Sequence, residues 1–232
     1  MKFQPLKPWV MGNSSVTPEN FYGNLKPDFE MGAFVSLDKA VDLYLASTVE
    51  TGNLQDSWKS NKEYIEKACE IARVGQENSF DLDNEEKRWI LDELGEPPAC
   101  CYSLYFITIY NETEEKLVYV GKTDSKKSRF VNGHLAALKL HNPIYECYHK
   151  RIYFGTIMFL SETTEYVPLE FVTPYELAEK YLGEMEAFLI DRLKPELNVR
   201  NEQIGEMENL GVVHIQNFSD VCGFMHIIEQ VG

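Results

Sequence analysis

From Tyr102 to Tyr110 the chain reads YSLYFITIY, a run of aromatic and β-branched residues that predicts a strand. The polar stretch Asn111 to Lys116 follows, and Leu117 to Gly121 (LVYVG) predicts a second strand, so the two form a hairpin. Arg151 to Leu160 predicts a third strand. Ser128 to Leu140 places Phe130, Val131, Leu135 and Leu138 near helical spacing, although Gly133 weakens that helix. Thr173 reads as an N-cap, with Pro174 at the first helical position and Glu176 at the third. That helix extends to about Leu193 and stops before Pro195.

Upstream the period is helical. Ser36 reads as the cap of a helix over Leu37 to Leu45, a second helix covers Trp58 to Val74, and a third covers Asn84 to Leu94. Gly95-Glu96-Pro97-Pro98 then breaks any helix and marks a boundary. The pattern predicts an α+β protein: a small antiparallel three-stranded sheet flanked by helices, preceded by a helical N-terminal region. Residues 1–95 form that region, 99–200 the sheet domain and 201–232 a C-terminal extension. The extension holds the apolar runs VVHIQNF and VCGFMHII, which either pack on the core or pair with a second copy in a homo-oligomer.

Composition narrows the classes. The chain has 232 residues, of which 44% are hydrophobic and 12% aromatic, enough for a packed core. Its longest apolar run, Ile152 to Leu160, is too short to cross a bilayer, and the N-terminus lacks a signal-type apolar region, so no membrane is expected and the expected location is cytoplasmic. Five cysteines without a Cys-x-x-Cys pair argue for reduced thiols. The formal charge of −15 opposes nucleic-acid binding until its distribution is considered. Residues 101–200 carry 12 Lys and Arg against 14 Asp and Glu, and Lys122, Lys126, Lys127 and Arg129 gather in one place.

Two local features carry candidate chemistry. Gly121-Lys122-Thr123 ends a strand as a phosphate-binding loop does, but that loop needs a glycine where Lys116 stands, which excludes it. Glu186 has Leu182 one turn before it and Ile190 one turn after, with Leu189 and Leu193 beside it and Gly183 opening space. A carboxylate on an apolar stripe requires a partner. Glu186 is therefore in an ordinary salt bridge, at an edge position that reaches solvent, or a metal ligand, and one glutamate with waters and phosphate oxygens suits Mg²⁺.

Ser103-Leu104-Tyr105, Tyr119-Val120-Gly121, Arg129, and Glu186-Ala187-Phe188-Leu189-Ile190 followed by Pro195-Glu196-Leu197-Asn198 together resemble the GIY-YIG endonuclease family. The resemblance covers about Cys101 to Arg200. Ser103 stands where the family has glycine, Tyr110 rivals Tyr105 as the first motif tyrosine, and Gly133 takes a position often held by histidine or tyrosine, with His134 next to it. The resemblance implies a metal-dependent endonuclease that hydrolyses DNA, of restriction or mobile-element type. Glu186 would bind Mg²⁺ or Mn²⁺, Arg129 would grip the phosphate, and Tyr105 or Tyr119 would take the proton from water. A phenol of ordinary pKa about 10 needs nearby cations for that task, and Lys122 and Arg129 supply them. Asn198 has a positioning role, and His134 is either catalytic or a partly exposed helix residue. A catalytically inactive module that binds nucleic acid or protein is the alternative.

Overall fold

The computed structural model describes residues 2–11, 26–73, 82–123, 135–162, 165–198, 205–221, 223–224 and 226–228. Its strands are β1 (Ala33–Asp42), β2 (Leu104–Tyr110), β3 (Glu115–Lys122), β4 (His149–Leu160), β5 (Tyr166–Pro168), β6 (Val213–Asn217) and β7 (His226–Ile228). The α-helices are α1 (Lys7–Val10), α2 (Leu54–Ala72), α3 (Asn84–Leu94), α4 (Leu135–Lys139) and α5 (Tyr175–Leu193). Six strands lie side by side in the order β3-β2-β4-β1-β6-β7, and β5 pairs with the end of β4 beyond β2. All pairs are antiparallel except β1 with β6.

This architecture corrects the expected fold class. The three predicted strands are neighbours, β3-β2-β4, but they belong to a mixed sheet of seven strands, six of them side by side, and not to a small three-stranded one. The physical reason lies in β4, whose twelve residues present two hydrogen-bonding edges. One edge takes β2 and β5, and the other takes β1 along its length from Ala33↔Phe159 to Asp42↔Arg151. The predicted helix over Leu37 to Leu45 is therefore mostly strand, followed by a 3₁₀ turn at Leu43–Thr48. Val35 and Leu37 bury on one face of β1, and the Ser36 hydroxyl donates to Asp38 Oδ1 at 2.5 Å rather than capping a helix. Long-range pairing outweighs the helical spacing read there.

Other boundaries shift little. The hairpin forms as predicted, with β2 and β3 paired from Leu104↔Lys122 to Tyr110↔Glu115. The helix predicted over Trp58 to Val74 spans Leu54–Ala72, its N-terminus capped by the Asn53 side chain. Helix α3 matches its predicted range and is closed by a capping box between Asp83 and Glu86. Helix α5 starts at Tyr175, with Pro174 at the N-cap and no side-chain cap, so Thr173 does not serve that role. Of the helix predicted over Ser128 to Leu140, residues 128–134 lie outside the described residues and α4 is the part within them. In the C-terminal extension, VHIQN becomes β6 and pairs with β1 of the same chain.

Two apolar layers sandwich the sheet. Leu104, Phe106, Val120, Tyr153, Ile157 and Phe159 pack with Leu182, Met185, Phe188 and Leu189 of α5 and with Ile65 and Ala68 of α2. On the other face, Tyr105, Ile107, Ile109, Ile152 and Phe154 pack with Ala136 and Leu140. Each fully buried large side chain contributes about 1.5–3 kcal/mol, which anchors α5 beside β3. Among the described residues no helix is long and apolar enough to cross a membrane.

Candidate functional site at the edge of the hairpin

The register of the hairpin decides which side chains meet. Tyr105 pairs with Gly121 and Ile107 with Tyr119, so both tyrosines lie on the same face, two residues apart along neighbouring strands. Their rings stack, with centroids 5.9 Å apart and planes at 22°. The Tyr105 ring end lies over Gly121. A Cβ added at Gly121 would overlap the Tyr105 hydroxyl and stand 2.5 Å from Tyr105 Cζ and 2.8 Å from Tyr119 Cε1. Glycine is the residue that lets the strand pass beneath the pair. Replacing Gly121 by Ala is expected to force the tyrosines apart and cost about 1–3 kcal/mol, the scale of overpacking, read as a lower midpoint in urea unfolding.

On the outer side of β3, the strand's free backbone groups are closed by α5 and the loop that follows it. Val120 N–H donates to Asn198 Oδ1 at 2.9 Å, and Asn198 Nδ2 donates to Val120 O at 2.8 Å. Leu197 N–H donates to Val118 O at 3.0 Å. Lys122 N–H donates to Glu186 Oε1 at 3.0 Å. An open strand edge is thereby satisfied, and the Glu186 carboxylate sits one residue from Gly121. Glu186 is only 7% exposed, so it is not the edge position reaching solvent that its spacing also allowed. Its other oxygen, Oε2, lies 3.9 Å from Lys122 Nζ. Gly183, one turn earlier, leaves room for that ammonium: a Cβ there would come to 3.3 Å from Lys122 Nζ.

The loop itself is held by a second clamp. The Tyr145 hydroxyl donates to Glu196 Oε1 at 2.6 Å, and Lys116 Nζ bonds Oε2 at 2.8 Å. The Lys116 hydrogen bond, followed by that of Tyr145, holds the Glu196 carboxyl below the ordinary glutamate range. Burial and then the Glu196 carboxylate push the Tyr145 hydroxyl up to about 12. A lowered folded-state pKa means that the stabilisation is present above the unfolded value, about 4.3, and is lost as pH falls through the folded one. The wild type is therefore expected to lose more stability than Glu196→Gln between pH 6 and pH 3, by under about 1 kcal/mol because the pair is part exposed. Thermal midpoints of both proteins across that range check it.

The structure thus brings Tyr105, Tyr119, Lys122, Glu186 and Asn198 together around Gly121. Tyr110, the rival first tyrosine, lies at the other end of β2, where its hydroxyl is 3.5 Å from Asp42 Oδ1 and the Arg151 guanidinium lies 3.9 Å from its ring centre. Arg129 and His134, with Lys126 and Lys127, lie outside the described residues. The Glu196–Tyr145 clamp was missed in the sequence. Glu196 stands inside the quoted Pro-x-x-Asn stretch, but nothing near Tyr145 signals that it bonds a carboxylate 51 residues on.

Among the described residues no group of three or more His, Cys, Asp and Glu is arranged to hold a metal, which excludes a cage built wholly of such ligands there. Mg²⁺ sites in general use one or two carboxylates with water and phosphate oxygens, and the Glu186 carboxylate, with Oε1 oriented by a backbone N–H and Oε2 3.9 Å from Lys122 Nζ, is of the donor type such a site would use. No family model matches the chain, and neither the curated proteins nor the solved structures include a match to it.

Proposed function

We propose that the protein is a metal-dependent DNA endonuclease of GIY-YIG type that acts in the cytoplasm. One observation carries the reading: the stacked Tyr105–Tyr119 pair crosses Gly121, and the next residue's N–H bonds the buried Glu186 carboxylate. Side chains from β2, β3 and α5, separated by up to 81 positions, thereby surround one glycine.

Glu186 would hold the Mg²⁺ or Mn²⁺ ion, which when bound supplies Lewis-acid polarisation of the scissile phosphate. The chain's own residues do the remaining work. Tyr105 is fully buried whereas Tyr119 is half-buried, so Tyr119 is the phenol that a solvent water reaches and Tyr105 orients it by stacking. Gly121 leaves the space that the Tyr105 hydroxyl occupies beside the Tyr119 ring, which holds the two phenols together. The Lys122 ammonium offsets negative charge beside it, and Arg129 adds a forked donor for the growing charge on phosphorus. Asn198 fixes the position of Val120, hence of the residues on either side of it.

The test is direct. Supercoiled plasmid incubated with the purified protein and Mg²⁺ should be nicked or linearised, and Glu186→Gln should not do this. Equal cleavage by both proteins overturns the assignment. The complete burial of Tyr105 and the approach of Lys122 Nζ to Glu186 favour a second reading, a catalytically idle nucleic-acid-binding module. Salt-dependent DNA binding without metal-dependent cleavage would select it.

A further inference from the structure

A cavity of about 410 Å³ opens at the end of the sheet remote from Gly121. His149, one of its lining residues, pairs with Tyr110, which lies five positions along β2 from Tyr105, about 17 Å of strand. None of the residues placed at the cleavage site lines it.

The walls combine flat rings with polar groups, and Tyr148, His149 and Lys150 are held by neighbouring residues. Tyr44, on the 3₁₀ turn after β1, is 78% exposed, a large ring that the core does not use. The Tyr148 hydroxyl donates to Glu114 at 3.2 Å. The His149 imidazole lies against the Tyr110 ring, with centroids 5.2 Å apart, and the Arg151 guanidinium also packs on that ring. Lys150 Nζ donates to the Tyr145 carbonyl at 2.7 Å, which pins the ammonium and leaves further N–H donors. Asp42 supplies carboxylate oxygens, and Leu140 adds an apolar surface. The side chains of His141 and His149 make no hydrogen bond or ion pair among the described residues.

We propose that this cavity binds one nucleotide unit, its base against the tyrosine and imidazole rings and its phosphate against Lys150 and the histidines. The volume lies within the range of small-ligand sites, about 300–1,000 Å³. Rings that stack on any base, together with a lysine for the phosphate, are the chemistry by which single nucleotides are held. Asp42 is an acceptor for an amino group on the base, and a bare anion would leave both that carboxylate and the rings unused. The inference goes beyond the cleavage reading and does not depend on it. The nucleotide is either free or an unpaired member of a DNA strand, and the two share this chemistry.

Equilibrium dialysis of the full chain against dAMP, dCMP and inorganic phosphate, with anisotropy of a labelled single-stranded hexamer, tests it. Saturable binding of a deoxynucleotide is expected, with inorganic phosphate at least tenfold weaker. The double variant Tyr44→Ala, His141→Ala should weaken nucleotide binding at least tenfold, and Lys150→Met should weaken it through the phosphate. Tyr44 and His141 are exposed, so the double variant should keep the wild-type circular dichroism. A hexamer that binds more tightly than dAMP and loses affinity in the double variant assigns the site to a strand; equal affinity assigns it to the free nucleotide. Phosphate binding as tightly as dAMP, absence of saturable nucleotide binding, or unchanged affinity in the double variant overturns the proposal. Loss of plasmid cleavage in Glu186→Gln with dAMP binding intact separates the two sites.

Discussion

Glu186→Gln is expected to lower Mg²⁺-dependent plasmid cleavage by about 10²–10³-fold, the scale of removing one electrostatic contact to a transition state, while the protein keeps its fold. Glutamine preserves the acceptor that the Lys122 N–H uses at 3.0 Å, so the edge of β3 stays closed by α5. What it removes is the charge. In the proposed site the amide oxygen would remain a weak ligand, so higher Mg²⁺ or substitution of Mn²⁺ should recover part of the rate. Glu186→Ala differs, because it leaves the Lys122 N–H without its acceptor and opens a cavity between α5 and β3. That variant should lose the activity and, in addition, about 1–3 kcal/mol of stability. Cleavage rates over a metal titration, beside thermal unfolding of the three proteins, separate a lost ligand from a loosened strand. Wild-type rates in Glu186→Gln at low Mg²⁺ would remove the carboxylate from the chemistry.

The largest stability effect belongs to Glu115→Ala. The Glu115 carboxylate, 8% exposed, accepts from the Thr108 hydroxyl at 2.6 Å, the Tyr153 hydroxyl at 2.7 Å and Arg151 Nη1 at 3.0 Å. These groups come from β2 and β4, so one side chain on β3 ties three neighbouring strands together. Burial, with the carboxylate beside it, pushes the Tyr153 hydroxyl well above the ordinary tyrosine range. Gly223 lies so close to Glu115 that a Cβ there would overlap Oε2, and Phe224 packs on Phe106 and Tyr153. Removing the carboxylate leaves the Arg151 charge without its ion-pair partner, which costs about 3–5 kcal/mol and lowers the melting midpoint by about 10 °C. The double variant Glu115→Leu, Arg151→Met removes both charges and should recover a large part of that loss. If Glu115→Ala melts within about 2 °C of wild type, this network does not hold the strands.

Much of the candidate site was legible because its signals are local. The alternation of YSLYFITIY and LVYVG gives the hairpin, and a carboxylate amid Leu182, Leu189 and Ile190 singles out Glu186, although whether it is buried or reaches solvent was left to the tertiary structure. Gly121 and Gly183 stand where another chain segment comes close, which a single sequence indicates only as small residues in suggestive places. The mistaken helix at Leu37 to Leu45 shows the limit. Its spacing suits a helix, yet the segment is drawn into the sheet because β4 and β6 offer pairing on both sides.

By itself the chain determined where its hairpin and long helices form, that Glu186 lies in an apolar setting, and which residue types gather near Gly121. Tertiary structure alone decided that Tyr105 rather than Tyr110 meets Tyr119, that Asn198 and Glu186 close the edge of β3, and that β1 and β6 enlarge the sheet. The reason is that periodicity reports which face of a segment avoids water, a property of neighbouring residues. Which edge a segment pairs with depends on the backbone groups that distant strands leave unsatisfied once they have folded.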